Sequence, residues 1–102
     1  MSRMDTIREM LNKGSNDPFL WHALALEHIK LGEDLAAKDC FLRLLTDHPN
    51  YVGSYYHLAK LYERLKEHTS AIETYEKGLE EAQKAGDRHA FNELRSALDE
   101  IL

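Results

Sequence analysis

Cysteine, proline and glycine are scarce in this 102-residue sequence, which contains one, two and five of them respectively. The lone Cys40 cannot form an internal disulfide bond, so the chain does not resemble a disulfide-stabilised secreted scaffold. The few prolines and glycines leave no low-complexity or linker-like tract. The chain is therefore expected to fold as a single domain over residues 1–102.

Long hydrophobic runs are missing as well. No stretch approaches the roughly 20 apolar residues that are needed to span a bilayer. The first five residues, Met1 to Asp5, contain no apolar leader segment. No membrane association is expected, and the cytoplasm is the predicted location.

Positive charge is in the minority, with 13 Lys and Arg against 18 Asp and Glu, a net charge of −5. No cluster of basic residues stands out along the chain. Nucleic-acid-binding domains usually present a basic stripe that replaces the counterions of the phosphates. The composition therefore argues against a nucleic-acid partner.

Motifs of catalysis are absent from the sequence. It has no phosphate-binding glycine loop, no nucleophile elbow and no His-Glu-x-x-His zinc helix. Cys40 precedes Phe41 within a helical pattern and is interpreted as a buried structural thiol. The acidic pairs Glu80-Glu81 and Asp99-Glu100 are interpreted as solvated helix faces. The chain is predicted not to be an enzyme and to need no cofactor.

Six histidines raise the question of a metal site, but no two of them are four residues apart, and no cysteine pair accompanies them. They are interpreted as surface or packing residues, so no metal ligand is predicted: His22, His28, His48, His57, His68 and His89.

An internal repeat of 34 residues is the main positive feature of the sequence. It aligns residues 18–51 with residues 52–85, and the matching positions are apolar or small, as a shared packing scheme requires. Six aligned pairs are identical: Leu24 and Leu58, Ala25 and Ala59, Leu31 and Leu65, Glu33 and Glu67, Ala37 and Ala71, and Leu45 and Leu79.

Each repeat has the pattern of two helices. In the first repeat, Asp17 is the expected N-cap, Pro18 suits the first helical position, and Gly32 ends the first helix. Pro49 ends the second helix, because proline cannot continue it.

In the second repeat, the segment 66–68 replaces the glycine turn. Thr69 or Ser70 is the expected cap of the next helix, and Gly86 is its expected end. Large rings, Trp21, Phe41, Tyr55 and Tyr75, are expected to fill the spaces between successive helices.

Shorter segments flank the repeats and are predicted to cap them. Residues 3–16 contain the apolar stripe Met4, Ile7, Met10 and Leu11. Residues 87–102 contain a helix that Asp87 can cap. The predicted helices are six in number, at about 3–13, 18–31, 34–47, 51–66, 68–85 and 88–101.

The residues of the repeats resemble the tetratricopeptide repeat family. The resemblance is carried by Trp21-x2-Leu24-Ala25-x2-His28 with Ala37-x3-Phe41 and Pro49, and by Tyr55-x2-Leu58-Ala59-x2-Tyr62 with Ala71-x3-Tyr75. The sequence departs from the family pattern at His28, Leu44, Gly78 and Gln83. The resemblance implies an all-α, right-handed α-solenoid of antiparallel helix pairs that binds proteins without catalysis.

In the resembling family, the first helix of each unit lines a concave groove that binds a peptide or a helix of a partner protein. Projected onto this sequence, the groove face consists of Phe19, His22, Leu26, Lys30, Tyr56, His57, Lys60 and Arg64. This set is aromatic and mildly basic, which favours a partner with acidic or carboxylate groups beside an apolar anchor.

One branch of the family holds a chaperone's terminal carboxylate with lysine, asparagine and arginine side chains. This sequence has His22, Leu26 and His57 at positions of that clamp, so chaperone binding of this kind is not expected.

Self-association is the alternative function. Leu98, Ile101 and Leu102 form an apolar group at the end of the last predicted helix. This patch predicts a weak homodimer that forms through a terminal helix.

Overall fold

The computed structural model describes residues 2–102 and contains six α-helices over that range, with no strand. The predicted all-α helical-repeat fold is confirmed. The helices are α1 (Arg3–Asn12), α2 (Pro18–Lys30), α3 (Asp34–Asp47), α4 (Gly53–Arg64), α5 (His68–Ala85) and α6 (Arg88–Ile101).

The chain forms two compact units, the first ending at His48 and the second beginning at Pro49. In the first unit, α2 packs against α3, and α1 packs on α2. In the second unit, α5 packs against both α4 and α6, and α4 also contacts α6. The predicted repeat boundaries, 18–51 and 52–85, stay predictions.

Four helices end in the same hydrogen-bonded turn. After α2, the Gly32 N–H donates to the carbonyl of Ile29, and the Glu33 N–H donates to the carbonyl of His28. This pattern requires a residue with positive φ just beyond the helix. That position is occupied by Gly14, Gly32, Lys66 and Gly86 after α1, α2, α4 and α5 respectively.

The starts of the helices agree with the predicted caps in two cases. Asp17 accepts a hydrogen bond from the Phe19 N–H at 2.9 Å, and Asp87 accepts one from the Ala90 N–H at 3.0 Å. The prediction of Thr69 or Ser70 as a cap is wrong, because the turn at Lys66 starts α5 at His68, with Glu67 as its N-cap.

Small residues at equivalent positions of the two repeats belong to the core of both units. Ala25, Ala37, Ala59 and Ala71 are completely buried, and Phe41, Tyr55 and Tyr75 are buried as well. Trp21 departs from the prediction, since it is only half-buried and the Arg43 guanidinium lies 5.0 Å from its ring centroid. A cation over an indole ring stabilises a partly exposed tryptophan.

A buried polar contact joins α1 to α2 in the first unit. The ring of the buried His28 lies between two partners, with Nδ1 2.8 Å from Glu33 Oε1 and Nε2 3.4 Å from Arg8 Nη2. Arginine can only donate, and the carboxylate of Glu33 can only accept, so the two contacts place the ring between a donor and an acceptor. His28, which departs from the family pattern, therefore has a structural partner on each side.

The flanking helices cover the units only in part. Of the predicted α1 stripe, Ile7 is buried and Met10 is exposed, so Met10 was wrongly placed in the stripe. In α6, Leu94, Ala97 and Leu98 are buried. Within residues 2–102, every helix is too short or too polar to cross a bilayer.

Candidate functional site

The predicted site residues of the first unit lie along α2. Phe19 is exposed at the start of the helix, and Lys30 is exposed at its end, with Nζ 3.1 Å from Glu27 Oε2. His22 and Leu26 are half-buried, and the His22 ring meets the ring of Phe41 edge-on at 5.8 Å. Only the two ends of this row are well exposed.

The predicted site residues of the second unit lie along α4 and contact one another. The rings of Tyr56 and His57 meet edge-on at a centroid distance of 5.8 Å. Lys60 Nζ lies 5.5 Å from the centroid of the Tyr56 ring, within the range of a cation–π interaction. Arg64 is exposed one turn further along the helix. The structure therefore brings Tyr56, His57 and Lys60 together as an aromatic and cationic cluster.

A carboxylate that the sequence analysis missed lies against this cluster. Glu63 Oε2 accepts a hydrogen bond from the Tyr75 hydroxyl and lies 3.5 Å from Lys60 Nζ. Burial, followed by this hydrogen bond, raises the pKa of Tyr75 above its ordinary value, so the hydroxyl keeps its proton and continues to donate. Glu63 is thus fixed by a core residue and in turn positions Lys60.

The sequence distinguishes Glu63 from the equivalent residue of the first repeat. In the 34-residue alignment, Glu63 corresponds to Ile29. A charged residue at a position that the other repeat fills with isoleucine indicates a local role for the charge.

Helix α6 adds two further carboxylates to the surroundings of the α4 cluster. Burial lowers the pKa of His57, and the charge of Glu93 acts against that effect. The charge of Glu100 contributes to the raised pKa of Tyr75. We call the side of α4 that carries Tyr56, His57, Lys60 and Arg64 the α4 face. Because these carboxylates lie near it, the α4 face is of mixed charge and is not simply basic, as the row of predicted residues suggested.

Reactive groups outside this face are few in the described residues. Burial raises the pKa of the Cys40 thiol to about 11, so it is protonated at neutral pH and a poor nucleophile. No group of three His, Cys, Asp or Glu residues within 2–102 has a geometry that could hold a metal ion.

Comparisons with known proteins agree with the repeat. Residues 52–84 match the family model described as tetratricopeptide repeat. A tetratricopeptide repeat domain protein from Salinibacter ruber is 43% identical to the chain. Its solution structure has a TM-score of 0.81, and the match covers 84% of this chain and 87% of that one. This chain belongs to the tetratricopeptide repeat family.

Other structures share the tetratricopeptide fold at lower identity. A protein from Bordetella parapertussis is 23% identical, with a TM-score of 0.84, and the match covers 99% of this chain and 88% of that one. MamA is 24% identical, with a TM-score of 0.74 over 96% of this chain and 56% of its own. No curated protein matches the chain significantly.

Membership of the tetratricopeptide repeat family carries a general expectation about function. Domains of this fold generally mediate protein–protein interactions, and they are typically non-catalytic.

Proposed function

We propose that this tetratricopeptide repeat protein is a non-catalytic adaptor or scaffold that binds a peptide or a helix of a partner protein on the α4 face of its second unit. The observation that carries the proposal is the contact among Tyr56, His57 and Lys60, all of which remain half-exposed. A cluster that is already held in place loses little side-chain entropy on binding.

The chemistry of the face favours one kind of partner segment. The Tyr56 and His57 rings offer an edge for an apolar or aromatic anchor, while Lys60 and the exposed Arg64 suit a carboxylate. Glu63, Glu93 and Glu100 disfavour a strongly acidic partner, since like charges repel across an interface. The proposed segment carries a single acidic group, or a terminal carboxylate, beside an apolar anchor.

The first unit contributes a weaker candidate surface. Phe19 and Lys30 lie at opposite ends of α2, about 16 Å apart by the rise of a helix, and the other two residues of the row, His22 and Leu26, are half-buried. We propose this row as an accessory contact, secondary to the α4 face.

Peptides selected by display on the immobilised protein test the proposal. Selected sequences are expected to share an acidic residue next to an apolar one. Their affinity, measured by calorimetry, is expected to fall at least about tenfold for Lys60→Glu/Arg64→Glu, which corresponds to roughly 1.4 kcal/mol of binding free energy.

A control variant with the same change in net charge distinguishes a local effect at the α4 face from an effect of overall charge. Lys66→Glu/Arg95→Glu makes the same charge change, and Arg95 is on the side of α6 opposite Glu93 and Glu100 by helical spacing. Equal losses in both variants would mean that only overall charge matters, and unchanged affinity in Lys60→Glu/Arg64→Glu would remove the α4 face as the site.

The alternative of dimerisation through the terminal helix is less favoured. Leu98 belongs to the core with 4% of its surface exposed, so only Leu102 of that group is well exposed, at 77%.

A further inference from the structure

Helix α3 presents two leucines to solvent on one face. Leu35 is 63% exposed and Leu42 is 40% exposed. Seven residues correspond to two turns of an α-helix, so the two side chains lie on the same side, about 10 Å apart along the axis. The other side of α3 is buried, through Ala37, Cys40, Phe41 and Leu44. We call this exposed pair the Leu35/Leu42 face.

The second repeat acts as an internal comparison for this face. The positions 34 residues later are Thr69 and Glu76, and both are exposed on α5. The same helix of the same repeat therefore accepts polar residues at these positions. The packing of the repeat does not account for leucine at either position in the first repeat, so the pair is a candidate for a contact outside the repeat.

Charges on either side of the Leu35/Leu42 face indicate what covers it. With about 100° of rotation per residue, Lys38 and Asp39 lie on opposite sides of the leucine row, at nearly the same height. Lys38 also interacts within its own chain. The charged residues nearest to the leucine row therefore have opposite signs on its two sides, while Asp34 and Arg43 lie farther round the helix. This nearest pair is complementary to a second copy of itself in only one of the two simple arrangements.

In a parallel pair of α3 helices related by a two-fold axis, Lys38 of one copy faces Asp39 of the other, and this contact forms twice. Leu35 then meets Leu35 of the other copy, and Leu42 meets Leu42. In an antiparallel pair, Lys38 faces Lys38 and Asp39 faces Asp39, which places like charges together. The charges thus favour the parallel arrangement.

We propose that the Leu35/Leu42 face is covered by the same face of a second copy of this chain, through parallel packing of two α3 helices. A contact made by one helix face from each copy is smaller than the roughly 1,200–2,000 Å² of a stable interface. The dimer is therefore weak and forms at high concentration. It is distinct from peptide binding on α4 and from dimerisation through α6.

Sedimentation equilibrium of the wild type and of Leu35→Thr/Leu42→Glu tests the contact. These substitutions introduce the residues of the second repeat, so the helix pair is expected to fold, as circular dichroism will show. The mass of the wild type is expected to rise toward that of a dimer between low micromolar concentration and roughly 1 mM, while the variant stays monomeric.

The control is Leu102→Thr, which removes the exposed leucine of the second unit and is expected to leave association unchanged. A wild type that is monomeric at every concentration would overturn the proposal. So would equal association by Leu35→Thr/Leu42→Glu, or loss of association in the control.

Charge reversal tests the parallel arrangement. Lys38→Asp and Asp39→Lys are each expected to weaken association at least several-fold, and Lys38→Asp/Asp39→Lys is expected to restore it. Asp39→Lys also reduces the net negative charge of the protein, so weakening by this variant cannot come from general repulsion. Single reversals without effect, or a double variant as weak as either single one, would overturn the arrangement.

Discussion

At the scale of single residues, Gly78 marks a close helix crossing in the second unit. A Cβ atom at this position would lie 2.7 Å from Tyr55 Cβ and 3.0 Å from Leu94 Cδ1. The first of these atoms is close to the backbone of α4 and cannot move aside without shifting the helix. Glycine therefore lets α5 approach both α4 and α6, at one of the positions where the sequence departs from the family pattern.

Gly78→Ala is expected to destabilise the protein despite the higher helix propensity of alanine. Propensity favours alanine by about 1 kcal/mol, and overpacking of a tight contact costs about 1–3 kcal/mol. The expected net loss is roughly 1 kcal/mol in the free energy of unfolding, measured with urea.

Gly53→Ala is the matched control for this substitution. Its Cβ would meet no atom within 4 Å, and Gly53 is also helical, at the start of α4. It is expected to leave stability unchanged or slightly higher. If Gly78→Ala proved as stable as Gly53→Ala, the close crossing would not limit the size of the residue at position 78.

Individual residues also show what the sequence could reveal about the site. Small buried residues such as Ala25 and Ala59 were predictable, because the repeat places them at equivalent positions. Glu63 was not predicted, because its partner Tyr75 lies on another helix and was interpreted only as a core ring. The replacement of Ile29 by Glu63 in the repeat indicates a role for the charge, but it does not identify the hydrogen-bond partner on another helix.

At the scale of helices and turns, the connection after α4 differs from its counterpart after α2. Both turns have the same hydrogen bonds, but Lys66 occupies the position of Gly32 with φ of 63°. This conformation costs a residue with a side chain about 1–2 kcal/mol relative to the right-handed helical region. The second repeat therefore carries local strain that the first repeat avoids.

Lys66→Gly is expected to raise the free energy of unfolding by up to about 1 kcal/mol, because part of the relieved strain is offset by the greater freedom of glycine in the unfolded chain. Urea unfolding measures the change. Lys66→Ala keeps the unfavourable conformation and is expected to give no gain. A similar gain in both variants would point to the lysine charge rather than to the backbone.

A difference in helix length explains why the α6 residues near the α4 face could not be predicted from the repeat. The 34-residue repeat predicted the helices as far as α5, which ends at the expected C-cap, Gly86. However, α5 has 18 residues where α3 has 14, so the register cannot be continued into α6. The contributions of Glu93 and Glu100 to the α4 face could not be predicted for that reason.

At the scale of the whole molecule, alkaline pH is expected to reduce stability. Burial, followed by the charges of Glu81 and Glu80, raises the pKa of Tyr55 from 10.0 to about 12. The unfolded chain then loses this proton at lower pH than the folded chain does. The stabilising contribution is complete below pH 10 and is lost as the pH rises to about 12, because deprotonation favours the unfolded state.

Urea unfolding at a series of pH values measures this effect. The loss from Tyr55 is at most about 1.4 kcal/mol per pH unit, and Tyr55→Phe is expected to make the dependence between pH 10 and 12 shallower. The raised pKa of Tyr75 adds to the loss in the same direction. A pH dependence in Tyr55→Phe equal to that of the wild type would show that Tyr55 does not contribute.

The division of the chain after His48 also separates its chromophores. The single tryptophan, Trp21, belongs to the first unit, and all five tyrosines follow Pro49 in the second. Tryptophan emission, excited at wavelengths that tyrosine does not absorb, therefore reports on the first unit. The tyrosine component of the near-ultraviolet absorption reports on the second unit, in the unmodified protein. Coincident transitions of the two signals would mean that both units unfold as one cooperative system, and separate transitions would give each unit its own stability.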